Sequence, residues 1–342
     1  MKSKTNKTGF VISCILCGLV LLLGSYTALF TTQGESSGFL DIPASAKKAE
    51  IVSETLSAIK NTEKKSAVSS KKVVTAASKG VVKGKVFDKY ISPYTANTSY
   101  KNIYLKNNTE LKLDLKSLYN SKLKYKIGKS KAPRVLILHT HATECFFKED
   151  KDYYTSADKS RTTDKSENMV AIGKIVAKKL NDSGISTLQD TTLHDYPDYN
   201  QSYARAADTI CSYLDKYPSL KVVIDLHRDS VENNGDKVKL TKTVNGKSAA
   251  QIMLVMGSQS GGVTNFPNYR ENLKLALKIQ SKTEEMYPGL ARSIMFNSKN
   301  YNESLSLGSV LIEVGTDANS LEEAKYSAEL IGNVLAELFG EL

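Results

Sequence analysis

From Arg134 to the C-terminus, short continuous apolar runs alternate with stretches whose apolar residues recur at helical spacing, which restricts the fold more than any other feature of the 342-residue chain. Val135-Leu136-Ile137-Leu138 has no polar face, as expected of a central strand covered on both sides. Asp164 and Glu167 fit a capping box that opens a helix carrying Val170, Ile172, Ile175, Val176 and Leu180, with Gly184 as its stop. Further strands are expected at 185–188, 222–226, 293–296 and 309–314, and helices at 200–214, 268–287 and 321–338. Asn245-Gly246 predicts a hairpin joining 238–244 to 252–256. Alternation of this kind implies an α/β fold, an open twisted and mostly parallel sheet with helices on both faces.

Upstream the composition changes. Of 47 basic residues 22 lie in 1–130 against 8 of the 36 acidic ones, so the remaining 25 and 28 leave the C-terminal part slightly acidic. The net charge of +11 therefore belongs to the N-terminal third, and no nucleic-acid partner is expected. Phe10 to Phe30 is 21 residues without a charge, preceded by Lys2, Lys4 and Lys7, long enough to cross ~30 Å of hydrocarbon. The expected organisation is a cytoplasmic tail (1–9), a transmembrane anchor (10–30), a flexible basic linker (31–85) and an extracytoplasmic catalytic domain (86–342, core 131–342). Small residues at Ser25–Ala28 offer a signal-peptide cleavage site as the alternative to the anchor. Residues 44–60 carry a sparse helical pattern, and 103–105 and 111–115 read as short strands.

Three of the four histidines, His139, His141 and His227, follow apolar runs, and Glu313 ends another. Polar groups past the carboxyl ends of buried strands stand where open α/β sheets bind ligands. A hydrolytic zinc ion (Zn2+) needs about three nitrogen or oxygen ligands and an open position for water. His141 and His227 supply two, and Glu167, at the start of the next helix, is the candidate third. Glu313 is the candidate general base, since a carboxylate in an apolar strand needs compensation. Cys145, beside Phe146-Phe147, reads as a packed thiol, Cys211 as helix core, and His194 as a loop residue without a role.

The segments HTHATE (139–144), DYPDYNQSY (195–203), DLHRDS (225–230) and NYNESLSLGSVLIEVGTDANSLEEA (300–324) resemble the stage II sporulation protein P family, with similarity over about 100–342. The resemblance implies a cell-wall hydrolase acting in forespore engulfment, with the fold of zinc-dependent N-acetylmuramoyl-L-alanine amidases. His141, Glu167, His227 and Glu313 fall on the amidase positions one by one. His-Thr-His replaces the amidases' Gly-His-Gly loop, which leaves His139 and His141 open as the first ligand. Counting back from the end of the strand favours His141, with His139 either supporting a ligand from behind or contacting substrate. Arg228 is open to three roles, clamping a stem-peptide carboxylate, polarising the scissile carbonyl, or a structural pair with Asp229. The resemblance further implies peptidoglycan as substrate, stem-peptide endopeptidase action, a lytic transglycosylase partner (stage II sporulation protein D-like), other engulfment membrane proteins, and placement in the septal space. Two rivals stand beside this reading. A His-x-His-x-Asp-His hydrolase fails at Glu144 and Phe146, and an inactive wall-binding scaffold should lack a ligand or the base.

Overall fold

The computed structural model describes residues 80–342. The anchor expected at 10–30, most of the linker and the weak helix at 44–60 lie outside the described residues, among which no helix is long and apolar enough to cross a membrane. In chain order the elements begin with β1 (Val82–Lys89), β2 (Thr98–Tyr100), β3 (Ile103–Asn107), α1 (Leu115–Asn120), β4 (Ser130–Leu138) and β5 (Tyr153–Thr155). Next come α2 (Met169–Asp182), β6 (Ile185–Gln189), α3 (Ser202–Lys216), β7 (Val222–Asp229), β8 (Glu232–Asn233), β9 (Asp236–Val244) and β10 (Lys247–Ala250). The chain closes with β11 (Ile252–Gly257), α4 (Tyr269–Met286), β12 (Ile294–Asn297), β13 (Ser309–Thr316) and α5 (Leu321–Glu341).

The main sheet has eight strands in the order β2-β3-β12-β11-β13-β7-β4-β6. Its pairings are parallel except β2 with β3 and β11 with β13, so the expected mostly parallel α/β sheet is present. Alternation along β4 sorts the core. Val135 and Ile137 join the large cluster under α2, α4 and α5, whereas Leu136 and Leu138 join a smaller one under Ala206 and Ile210 of α3. Three helices thus cover one face and one covers the other.

Local reading and structure part at four places. Asn245 and Gly246 both have positive φ (48° and 78°), the conformation of a two-residue hairpin turn, but they join β9 to β10. β11 pairs with β12 and β13 in the main sheet instead. Asp164 caps only its own turn, accepting from Ser166 N and Oγ; α2 begins five residues later, capped by Asn168. The capping box stands at α5, where the Ser320 hydroxyl accepts from Glu323 N and the Glu323 carboxylate from Ser320 N. The Leu111–Leu115 alternation ends in α1, not in a strand.

Residues upstream of 131 are part of the folded body. β1 starts at Val82, inside the segment read as linker, and builds a second sheet in the order β10-β9-β1-β5, with β8 on β9. β2 and β3 form one edge of the main sheet.

Candidate active site

The site forms at the carboxyl ends of β7 and β13 and in the turn that follows β4. Ile224 and Leu226 of β7 point into the three-helix core, so Asp225 and His227 project from the other face. Glu313 of β13 is the register partner of His227 on the adjacent parallel strand and shares that face. Directly after it the register shifts at Gly315 (φ +64°), where a Cβ would meet the side chains of Ala250 and Asn319. His141 enters from the turn after β4, its ring edge-on to that of His227 with centroids 5.2 Å apart.

Glu144 reaches the same point. Its Oε2 accepts from Arg228 N (3.1 Å) and lies 3.6 Å from His227 Nδ1, and its Oε1 lies 3.5 Å from Arg161 Nη2. Asp225 accepts from Thr140 N and Oγ1 (2.8 and 2.6 Å), and its Oδ1 is 3.0 Å from His227 Nε2. That last contact is close but not aligned as a hydrogen bond, and His227 Nε2 has none. The 195–203 segment closes the other side. Tyr199 stacks on His141 (centroids 4.5 Å, planes 17° apart) with its hydroxyl 3.2 Å from Nε2, and Tyr203 packs edge-on. Arg161 lies over the Tyr199 ring and pairs with Asp195, which also accepts from Thr143.

The two histidines are in opposite electrostatic situations. Burial drives His141 down to about 4, aided by the neighbouring His227 charge and opposed by Glu144. Burial also disfavours a charged His227, but Asp225 and Glu144 outweigh it and raise it to about 10. Burial works against a charged Glu144, yet Arg228 and the histidines hold its carboxyl well below the usual range.

Of the residues expected here, His141, His227 and Glu313 converge and three others do not. Glu167 precedes the α2 cap and pairs with Lys148 (2.7 Å) beside a groove of about 380 Å³ lined by Phe147 and Lys151. With no helix turn to aim it at the sheet edge, it meets a lysine instead. His139 is fully buried, with Nδ1 3.2 Å from Leu226 O and Nε2 3.1 Å from Gln189 Nε2, pressed against Gly173 of α2. No substrate reaches it. Arg228 spends its guanidinium on the carbonyls of Cys145 (3.2 Å), Asp229 (3.3 Å) and Ser160 (2.6 Å), which fastens the 145–160 loop. Its expected partner Asp229 pairs with Arg292.

Cys145 is buried, as expected, its thiol 3.2 Å from Lys159 O and pushed up to about 11 by burial. Cys211 is half-buried. His194 does have a role: Nδ1 contacts His139 O (3.0 Å) and Nε2 contacts Thr209 Oγ1 (2.9 Å). Local reading missed Glu144, Asp225, Arg161, Asp195, Tyr199 and Tyr203. All of them but Arg161 stand in HTHATE, DLHRDS and DYPDYNQSY, where polar residues cluster beside the histidines.

Two imidazoles with carboxylates around them are donors of the kind that ligate zinc. His141 Nδ1 is buried with no hydrogen-bond partner, as an electron-pair donor awaiting a cation would be, whereas His227 Nε2 lies 3.0 Å from Asp225 Oδ1. Among the described residues, no three His, Cys, Asp or Glu side chains stand in a ready-made metal site.

The fold and site define an α/β protein with paired histidines and carboxylates at the carboxyl edge of its sheet. Residues 26–336 match the family profile of stage II sporulation protein P, and the chain belongs to that family. Stage II sporulation protein P of Bacillus subtilis is 29% identical over 216 residues, which are 60% of this chain and 51% of that one. The match thus spans about half the length of that relative. Among solved structures, the CwlD amidase of Clostridioides difficile in complex with the GerS lipoprotein matches with a TM-score of 0.37 and 13% identity, covering 60% of this chain and 98% of that one. The N-acetylmuramyl-L-alanine amidase Ami1 of Mycobacterium abscessus gives 0.33 and 12%, covering 60% and 99%. At these TM-scores the structural likenesses carry no functional weight.

Proposed function

We propose that the protein is a peptidoglycan hydrolase of sporulation, a zinc-dependent N-acetylmuramoyl-L-alanine amidase that acts outside the cytoplasm during engulfment. The observation that supports it is the pairing of His141 and His227, ring centroids 5.2 Å apart, with Glu144 Oε2 3.6 Å from His227 Nδ1 and Glu313 on the strand beside His227. His141, His227 and Glu144 would hold the zinc ion, Glu144 replacing Glu167 in that role. Zinc bound there supplies Lewis-acid activation of water and of the scissile carbonyl. Glu313, buried at the strand end, takes the proton of the attacking water and returns it to the departing amide nitrogen. Arg161, partly exposed at the rim and paired with Asp195 and Glu144, would be the cation offered to carboxylates of a bound stem peptide. Endopeptidase action, membrane anchorage through 10–30 and a lytic transglycosylase partner extend the same reading.

The test is release of stem peptides from purified wall, run with zinc content on the same preparations. Glu313→Gln should keep stoichiometric zinc and lose roughly 10²–10⁴-fold in turnover, the usual worth of a general acid–base. Glu144→Gln should lose zinc, whereas Glu167→Gln should keep both metal and activity. Zinc loss in Glu167→Gln with retention in Glu144→Gln would restore Glu167 as ligand. A wild-type protein that binds wall but releases nothing would make it a scaffold.

A further inference from the structure

Beneath Asp225, on the face that α3 covers, lies a narrow cavity of about 10 Å³, close to the least that holds a single water. Val223 and Asp225 of β7, Ser309 and Leu311 of β13, Ile210 of α3 and Glu303 line it. Two of its polar atoms, Glu303 Oε1 and Ser309 Oγ, are buried without a hydrogen bond. Both residues are firmly held. The fully buried Asn272 of α4 donates to Glu303 O (2.7 Å) and accepts from Ser309 N (3.2 Å), so one side chain sets the main chain at both positions.

Donor and acceptor counts say what fits there. Glu303 Oε2 accepts from Gly257 N (2.8 Å), and burial pushes the carboxyl well above the ordinary 4.5, toward its acid form. In that form the proton belongs on Oε1, a buried O–H with no acceptor on the protein. Asp225 accepts from Thr140 N and Oγ1 and touches His227 Nε2, which leaves part of a carboxylate's roughly four accepting sites unused. A water accepts from Glu303 and has two protons of its own, one for Ser309 Oγ and one for Asp225. Buried waters typically make about three such bonds to otherwise unpaired groups.

We propose that this cavity binds one water molecule that joins Glu303 and Ser309 to Asp225, and that Glu303 is thereby a positioning residue for the carboxylate facing His227. The catalytic half of this proposal rests on the hydrolase reading above. Glu303 touches neither histidine of the site; it acts through the water and Asp225.

The experiment uses the 80–342 body, which contains all the strands of both sheets and the cores between them. A crystal structure at a resolution that orders buried waters should show one water within hydrogen-bonding distance of Glu303 Oε1, Ser309 Oγ and Asp225. Glu303→Leu should lose that water and lower kcat for stem-peptide release about tenfold in the folded protein, within what a displaced catalytic group costs. Glu303→Gln, whose amide N–H donates as the acid does, should keep the water and recover most of that kcat. Ser309→Ala leaves Glu303 and its bond to Gly257 intact, so it tests the water even if Glu303→Leu does not fold; there the water should weaken and kcat fall severalfold. A wild-type cavity without ordered density overturns the water site. Unchanged kcat in the variants that lose the water overturns the positioning role, as does a Glu303→Gln protein that keeps the water yet is as slow as Glu303→Leu. A wild-type protein that releases no stem peptides overturns the function proposed above, while the density in the cavity still decides the water site.

Discussion

The two faces of the main sheet treat like residues differently, and the ends of β4 show it best. His139 and His141 are two positions apart and both are buried. His139 lies on the face covered by α2, α4 and α5, where Gly173 makes room for its ring and both ring nitrogens meet groups of the protein. His141 lies on the face that α3 covers alone, and there the strand ends stay open to polar groups from 142–161 and 195–203. One of its nitrogens remains unpartnered. Burial by itself therefore does not distinguish a structural histidine from a functional one. The distinction lies in whether the hydrogen-bonding capacity of the ring is used up within the fold.

Substituting the two histidines separately should produce the largest contrast. His141→Ala should bring peptidoglycan hydrolysis to background while the melting temperature changes little. His139→Ala should cost about 2–4 kcal/mol of stability by leaving a cavity and unpaired neighbours, with full zinc binding in the protein that remains folded. Urea unfolding alongside zinc content decides it. A metal-free His139→Ala protein of normal stability would reverse the two roles.

Filling the space beneath His139 should have an intermediate effect. A Cβ on Gly173 would sit 2.6 Å from the His139 ring, so Gly173→Ala should destabilise by about 1–3 kcal/mol through overpacking. The kcat of the folded fraction should not change. A selective loss of kcat would instead show that the two faces communicate through β4.

The smallest effect is expected at Glu303, which is buried and accepts from Gly257 N. Burial, reinforced by Asp225, raises its carboxyl well above the ordinary 4.5. The folded protein therefore keeps the proton that the unfolded chain releases near pH 4.5, and stability falls as pH rises from there. Glu303→Gln should be more stable than the wild type at pH 7, with the advantage vanishing toward pH 4. Parallel melting curves across that range would place the ionisable group elsewhere.

Much of the scaffold was legible beforehand because it depends on periodicity. The apolar run of β4, the spacing in α2 and the Asn245-Gly246 turn are local signals with local causes. The turn was found but its partner strand was misassigned, since Lys247–Ala250 is short and weakly apolar whereas 252–256 reads as a better strand. At the site, His141, His227 and Glu313 were visible as polar residues at apolar strand ends. Glu167 was selected because a helix was expected to start beside it. The cap lies one residue later, at Asn168, and the carboxylate is left to Lys148. Arg228 gave no local sign that its donors were spent on carbonyls up to 83 residues away in sequence.

What the sequence alone determined is the class of fold and the residue types at the strand ends, because strand alternation and apolar periodicity are properties of neighbours along the chain, while the family was carried by the resemblance of four short segments. Only the tertiary structure decided which carboxylate meets the histidines and which histidine keeps a free nitrogen. Glu144 and His227 are 83 residues apart, and Tyr199 and His141 are 58 apart. Their meeting depends on strand order, on α3 alone covering that face, and on loops tied down by Arg161 and Arg228. Those are relations between distant segments, for which local pattern carries no signal.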